Sequence, residues 1–213
     1  SIGKAIRDFK PSRVVITFDG RGGSARRKKI YGDYKANRAN KTRLRRHDHQ
    51  NYSSIEDEQE AMRYQFSRLV SYLDNLPVTF LAIDGIEADD TIAYLTQYNS
   101  IENDNEVVIV STDKDFLQLV SDKVKVYSPT KKKLYDRQMV FDEFGIWPQN
   151  LLLYRTLDGD TSDNIPGIKG CGLKTLLKRF PELSEDKLIT HDDFFQMCEE
   201  KRGKIKIYDD ILE

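Results

Sequence analysis

Eight acidic residues in four separate stretches carry the clearest chemical potential of this 213-residue sequence. Asp19 closes the run RVVITFD. Glu87, Asp89 and Asp90 share GIEADD, Asp113 and Asp115 share STDKD, and Asp160 and Asp163 share LDGDTSD. Each group alone has an ordinary use: acids in the first turn of a helix complement its dipole, and aspartates beside Gly159 and Pro166 make Asx turns. Brought together they behave differently. Converging carboxylates raise one another's pKa unless cations neutralise them, so their co-location predicts bound metal. An oxygen-only set with no Cys or His selects Mg²⁺ or Mn²⁺ over zinc. A calcium loop of the EF-hand kind is excluded, because Asp158, Asp160 and Asp163 miss its ligand spacing and Lys169 stands where a bidentate Glu is needed.

The acids must be positioned by regular elements. Residues 13–18 (RVVITF), 78–83 (VTFLAI) and 106–110 (EVVIV) are β-branched apolar runs that predict strands. Helical patterns separate them. One opens on a capping box formed by Ser53 and Glu56 and repeats Met62, Phe66, Leu69, Val70 and Leu73 on one face. A second starts near Glu87 and carries Ile92 and Leu95, and a third follows Asp113 with Phe116, Leu117 and Val120. Strands alternating with helices predict an α/β fold with a mostly parallel central sheet covered on both faces. In such sheets ligands sit beyond the carboxyl ends of the strands, which is where the first three acid groups fall. From residue 149 the pattern turns helical and loop-rich, with one strand-like run at residues 204–208.

Composition narrows the class further. With 38% hydrophobic and 32% charged residues the chain is neither a membrane span nor a disordered polymer. The first nine residues hold no apolar stretch of secretory length, which predicts an intracellular location. Cys171 and Cys198 sit in no metal or redox spacing and are expected to be reduced and structural. The net charge of −1 hides an asymmetry: between residues 21 and 46 eleven Lys or Arg face a single acid, Asp33. That segment carries +10 and the remainder −11. Tyr31 and Tyr34 interleave rings with these charges, a mixture suited to phosphate attraction and base stacking. A solvated loop is the plainer alternative.

Four ordered blocks carry a resemblance: residues 18–38 (FDGRGGSARRKKIYGDYKANR), 85–95 (GIEADDTIAYL), 110–120 (VSTDKDFLQLV) and 157–177 (LDGDTSDNIPGIKGCGLKTLL). Together they resemble the 5′ nucleases or flap endonucleases, most closely the bacterial and bacteriophage branch. The resemblance implies a PIN-like nuclease core at residues 1–148, with a basic helical arch or clamp at 20–52, and a duplex-binding helical subdomain at 149–213 with a helix–three-turn–helix. It implies two Mg²⁺ ions, Mn²⁺ substituting. Asp19, Glu87, Asp89 and Asp113 would serve the first ion and Asp115, Asp160 and Asp163 the second, with Asp90 supporting. Lys35 and Arg38 would steer phosphate, and Arg26, Arg27, Lys28, Tyr31 and Tyr34 would contact the strand threading the arch. Gly167, Lys169, Gly170, Gly172, Lys174 and Thr175 would hold duplex phosphate, with K⁺ bound at the same turn.

The implied substrate is DNA with a 5′ single-stranded flap or overhang, RNA/DNA hybrids included, cut by a monomer in the cytoplasm of a bacterial or phage-infected cell. Replication proteins are compatible with such an enzyme but are not readable from the sequence, and no membrane is implied. The family pattern also has a strand and a metal-binding Asp ahead of the block ending in Asp19. The sequence is therefore expected to be part of a longer protein, with the middle of the sheet open without that strand. Two rival expectations are a non-catalytic DNA-binding module and a PIN-like single-strand ribonuclease. The intact second aspartate group speaks against the former, and the GIKGCGLKT block with its long basic segment against the latter.

Overall fold

The computed structural model describes residues 2–38 and 52–213. Helix α1 (Ile2–Phe9) precedes strand β1 (Val15–Phe18), and the short helix α2 (Ala25–Ile30) leads to a 3₁₀ turn at Ala36–Arg38. After the segment 39–51 come α3 (Ile55–Leu73), β2 (Thr79–Ala82), α4 (Ala88–Gln97) and β3 (Val107–Val110). A 3₁₀ helix at Lys114–Leu119 then leads to β4 (Val124–Ser128), β5 (Lys133–Tyr135) and α5 (Arg137–Phe144). Helices α6 (Leu151–Asp158), α7 (Leu173–Arg179), α8 (His191–Glu199) and α9 (Lys206–Leu212) complete the order. The fold is α/β, as expected. None of its helices, among the described residues, is long and apolar enough to cross a membrane.

The sheet is in two pieces. β1 pairs parallel with β2, Val15 opposite Thr79 and Phe18 opposite Ala82. β3 pairs parallel with β4, and β4 antiparallel with β5. All three expected strands form, trimmed by a residue or two at their ends. β4 and β5 were not anticipated: VKVYS alternates burial strictly, with Val124, Val126 and Ser128 inward, but it is short and interrupted by lysine. The run at 204–208 is not a strand. Ile205 precedes α9, whose buried face is Tyr208 and Ile211, a helical spacing that outweighs two β-branched residues.

The core is lopsided. Ile109, Leu117, Val124, Val126, Val140, Ile146, Leu151, Leu176, Phe180, Leu183, Phe194 and Tyr208 form one buried cluster linking β3–β5 to the helices that follow. Each such side chain contributes about 1.5–3 kcal/mol by leaving water. Among the described hydrophobic residues of β1, β2 and α3 only Leu73 reaches comparable burial, and Met62, Phe66, Leu69 and Val70 on the predicted apolar face stay exposed. Two four-residue strands offer too little area to cover a helix of 19 residues, so contact is confined to points such as Phe66 edge-on to Phe18, ring centres 5.2 Å apart. The start of α3 also differs from expectation. Ser54, not Ser53, is the N-cap, and its hydroxyl accepts the Asp57 N–H at 3.1 Å.

Candidate metal and nucleic-acid site

The first acid is set by two glycines. The chain leaving β1 presses on the turn after β2: Gly20 N–H donates to Ile86 O at 3.0 Å, and a Cβ on Gly20 would lie 1.7 Å from Ile83 O. At Gly23 a Cβ would lie 2.8 Å from Ile86 O. This approach, closed to any residue with a side chain, brings Asp19 over the start of α4, where its Oδ1 accepts the Ala88 N–H at 2.8 Å. Glu87 is the N-cap residue of α4 by backbone but its side chain makes no cap hydrogen bond. Asp19 therefore supplies the cap from 69 residues away.

Glu87 faces inward and is 4% exposed. Lys35 Nζ donates to its Oε1 at 2.6 Å, while Arg27 Nη1 at 2.7 Å and the Tyr34 hydroxyl at 3.0 Å donate to Oε2. Arg27 also grips both oxygens of Asp90, at 2.9 and 2.7 Å. These contacts change several expected roles. Tyr34 is buried, not a stacking platform, and burial pushes its phenol up to about 12 despite Lys35, with Glu87 adding to the shift. It stays a donor at neutral pH. Arg27 is an internal tie rather than a free phosphate contact, and Glu87 has both oxygens engaged by basic groups or a phenol. Lys35 adopts a left-handed backbone (φ 59°) and is latched by its N–H to Asp163 O at 2.8 Å. Asn37 Nδ2 donates to Thr161 O at 2.8 Å and Asn164 Nδ2 to Asp33 O at 3.0 Å, so three hydrogen bonds pin the root of the basic segment to the loop after α6.

The remaining acids serve the backbone and the site together. Asp113 caps the 3₁₀ helix, Oδ1 accepting from Asp115 N at 2.9 Å. Asp160 Oδ1 accepts from Ser162 N at 2.7 Å and Asp163 N at 3.3 Å, the Asx turn that the sequence suggested. The capping and turn uses are thus real, and they do not exclude the other one. Asp19, Asp89, Asp113, Asp115, Asp160 and Asp163 line one cavity of about 420 Å³, with Lys35 as its basic group among the described residues. Burial, then Asp113, push the Asp89 carboxyl up, with Asp19 and Glu87 adding and Lys35 opposing. Burial likewise raises Asp115 against Arg155.

Six oxygen-ligand side chains on one cavity wall, with Asp89 and Asp115 raised by burial and charge, suit a hard divalent cation. Among the described residues, however, no group of three or more Asp, Glu, His or Cys side chains already stands at metal-ligand spacing. Basic side chains hold several of the acids instead. One of them, Arg155 of α6, had no sequence motif to announce it. Its only signal was a lone cation in the otherwise apolar stretch LLLYRTL, five residues before Asp160.

The expected polymer-binding residues fall in two places. Arg26 and Lys28 on α2 are exposed, as is Tyr31 just beyond it. Arg38 ends the 3₁₀ turn, with its side chain outside the described residues, as are residues 39–51 of the expected arch. Lys169 is exposed on the turn between α6 and α7, and in the first turn of α7 Lys174 is exposed and Thr175 half-buried. Gly170 has φ +83° and Gly172 opens α7 with no side-chain cap. Gly167 is there for packing: a Cβ would lie 2.2 Å from Asp158 O. Cys171 and Cys198 are buried free thiols.

The same fold is found in the phage T5 D15 protein solved with metal ions, at a TM-score of 0.77 and 22% identity, covering 99% of this chain and 74% of that one. T5 5′-exonuclease with bound divalent zinc ions gives 0.73 at the same identity, over 99% and 73%. Residues 1–145 match the family described as 5′-3′ exonuclease, N-terminal resolvase-like domain, and the chain belongs to that family. The 5′-3′ exonuclease of Aquifex aeolicus is 34% identical over 178 residues, 82% of this chain and 55% of the relative. That of Bacillus subtilis is 30% identical over 207 residues, 95% and 62%. DNA polymerase I of Caldicellulosiruptor bescii is 34% identical over 188 residues, 85% and 20%. The chain thus spans from a fifth to about three fifths of these relatives.

Proposed function

We propose that the chain carries the nuclease core of a structure-specific 5′ nuclease, hydrolysing phosphodiester bonds of DNA where a 5′ single strand meets a duplex. The observation that supports this most is the convergence of six aspartates from four sequence blocks on one cavity beside Lys35. Asp19, Asp89 and Asp113 would hold one Mg²⁺ and Asp115, Asp160 and Asp163 a second, with Mn²⁺ able to substitute. Bound there, such a pair of ions neutralises charge on the reacting phosphate and lowers the pKa of the attacking water.

The chain's own groups do the rest. Glu87 and Asp90 orient the first group through Lys35 and Arg27. Lys35, the cation on the cavity wall among the described residues, binds the scissile phosphate, with Arg38 three positions further along the chain. Arg26, Lys28 and Tyr31 guide the single strand by charge and stacking. Lys169 and Lys174, with the amides of Gly170 and Gly172 and the Thr175 hydroxyl, hold duplex phosphate, and K⁺ binds at the same turn. RNA/DNA hybrids are a second substrate. The protein would act as a monomer in the cytoplasm of a bacterial or phage-infected cell, alongside replication proteins.

The test compares the protein with its Asp113→Asn variant on a 5′-flap duplex, with Mg²⁺ and with chelator. Cleavage confined to the unmodified protein with Mg²⁺ is expected. Equal cleavage by both would overturn the proposal, and junction binding with no cleavage under any condition would favour a non-catalytic DNA-binding module.

A further inference from the structure

Arg155 engages three carboxylates from three segments. Its Nε donates to Asp115 Oδ1 at 2.8 Å, Nη2 lies 3.3 Å from Asp160 Oδ2, and Nη1 lies 3.7 Å from Asp158 Oδ2. Asp115 belongs to the 3₁₀ helix after β3, Asp158 ends α6, and Asp160 opens the following loop. Asp115 and Asp160 line the large cavity, but Arg155 does not. It lines a neighbouring cavity of about 120 Å³ with Tyr154, Phe144 and Leu151, and Asp115 is common to both. The Arg155 side chain is only 25% exposed and sits against acids that would otherwise face each other unneutralised.

We propose that Arg155 is a built-in counter-cation for the Asp115–Asp160 pair, holding these carboxylates in the metal-free protein and releasing at least one of them when a divalent cation binds. The proposal rests on the metal site described above. Its physical basis is competition. A carboxylate oxygen that accepts a guanidinium N–H has that lone pair engaged and ligates a cation less well, and a fixed positive charge beside an acid pair repels an arriving cation. Arg155 therefore trades affinity at this site for stability without metal. It acts through the two aspartates and is a positioning residue.

The experiment titrates Mn²⁺ into the full chain by calorimetry and follows thermal unfolding with and without Mn²⁺, for the unmodified protein, Arg155→Gln and Arg155→Lys. Arg155→Gln keeps hydrogen-bonding capacity without the charge. It should raise affinity at the weaker Mn²⁺ site by about tenfold, the scale on which groups around metal ligands tune binding. It should lower Tm in chelator, and saturating Mn²⁺ should close that gap; Arg155→Lys should fall between. Unchanged or weaker binding, with the same Tm loss whether or not Mn²⁺ is present, would mark Arg155 as ordinary packing and overturn the proposal. Should Arg155→Gln not fold, the Arg155 Nε–H resonance of the unmodified protein, assigned by its loss in Arg155→Lys, decides the matter. It should move with Mg²⁺ occupancy, and a resonance that ignores bound Mg²⁺ overturns the proposal. If the unmodified protein binds no Mn²⁺ at all, the metal site itself fails and takes this inference with it.

Discussion

Asp19 Oδ1 accepts the Ala88 N–H at 2.8 Å, so the first of the eight candidate site acids caps the helix that carries Asp89 and Asp90. The relative placement of these acids is thereby fixed in part by a side chain bonded to the main chain of α4.

That contact depends on Gly20. A Cβ there would meet the Ile83 carbonyl at 1.7 Å, and a backbone atom cannot move aside as a side chain would. Gly20→Ala is expected to destabilise the protein by about 3 kcal/mol and to separate Asp19 from α4. Chemical denaturation measures the first effect and loss of cleavage the second. A stable, active variant would refute the role given to the GRGG turn.

Lys35 joins Glu87 to the cavity wall and is 17% exposed in its side chain. Lys35→Met removes a charged hydrogen bond from a buried carboxylate that keeps Arg27 and Tyr34 as partners, so the cost should be about 2 kcal/mol and no more. Cleavage should fall far more steeply than stability. Proportionate losses of both would mean that Lys35 serves the fold alone.

The pH dependence has a defined sign. Asp89 is raised chiefly by burial and then by Asp113, and Asp115 chiefly by burial. A carboxyl raised above its unfolded value supports folding fully only below the ordinary aspartate range, and that support is lost as pH rises through the folded value. In chelator, Asp89→Asn should therefore raise Tm at pH 7.5 and leave it little changed near pH 4, while abolishing cleavage. A variant no more stable than its parent at pH 7.5 would contradict the crowding of charge seen in the cavity.

Glu143 runs the other way. Burial works against its ionisation, but the Tyr135 hydroxyl and the Lys133 and Lys131 ammoniums outweigh that and hold it at about 2. Lowered below its unfolded value, it stabilises above the ordinary glutamate range and loses that contribution as pH falls towards 2. Glu143→Gln should cost stability at pH 7 and progressively less as pH drops below about 4, read from paired thermal melts. A constant deficit at every pH would leave packing as the cause.

Much of the site was legible because its signals are local. β1, β2 and β3 are β-branched runs that each end in acids, and the loop of Asp160 and Asp163 sits among turn residues. The roles that escaped are those fixed by distant partners. Nothing in YGDYK distinguishes a Tyr34 that stacks on a base from one buried against Glu87, 53 residues on. Arg27 looks like one basic residue among several until Asp90 is found beside it. Arg155 lies 40 residues from Asp115, and a single arginine on a helix carries no pattern. Ser53 and Ser54 are equally good caps by type, and only backbone geometry separates them.

The three hydrogen bonds joining residues 33–37 to residues 161–164 tie together stretches more than 120 positions apart. Inserting or deleting a single residue between Asp33 and Asn37 would shift Lys35 off Asp163 and Asn37 off Thr161 at once. Change of length in this part of the chain is therefore tolerable only outside that short anchor, and duplication or grafting of the basic segment must carry the anchor and its receiving loop as a matched pair.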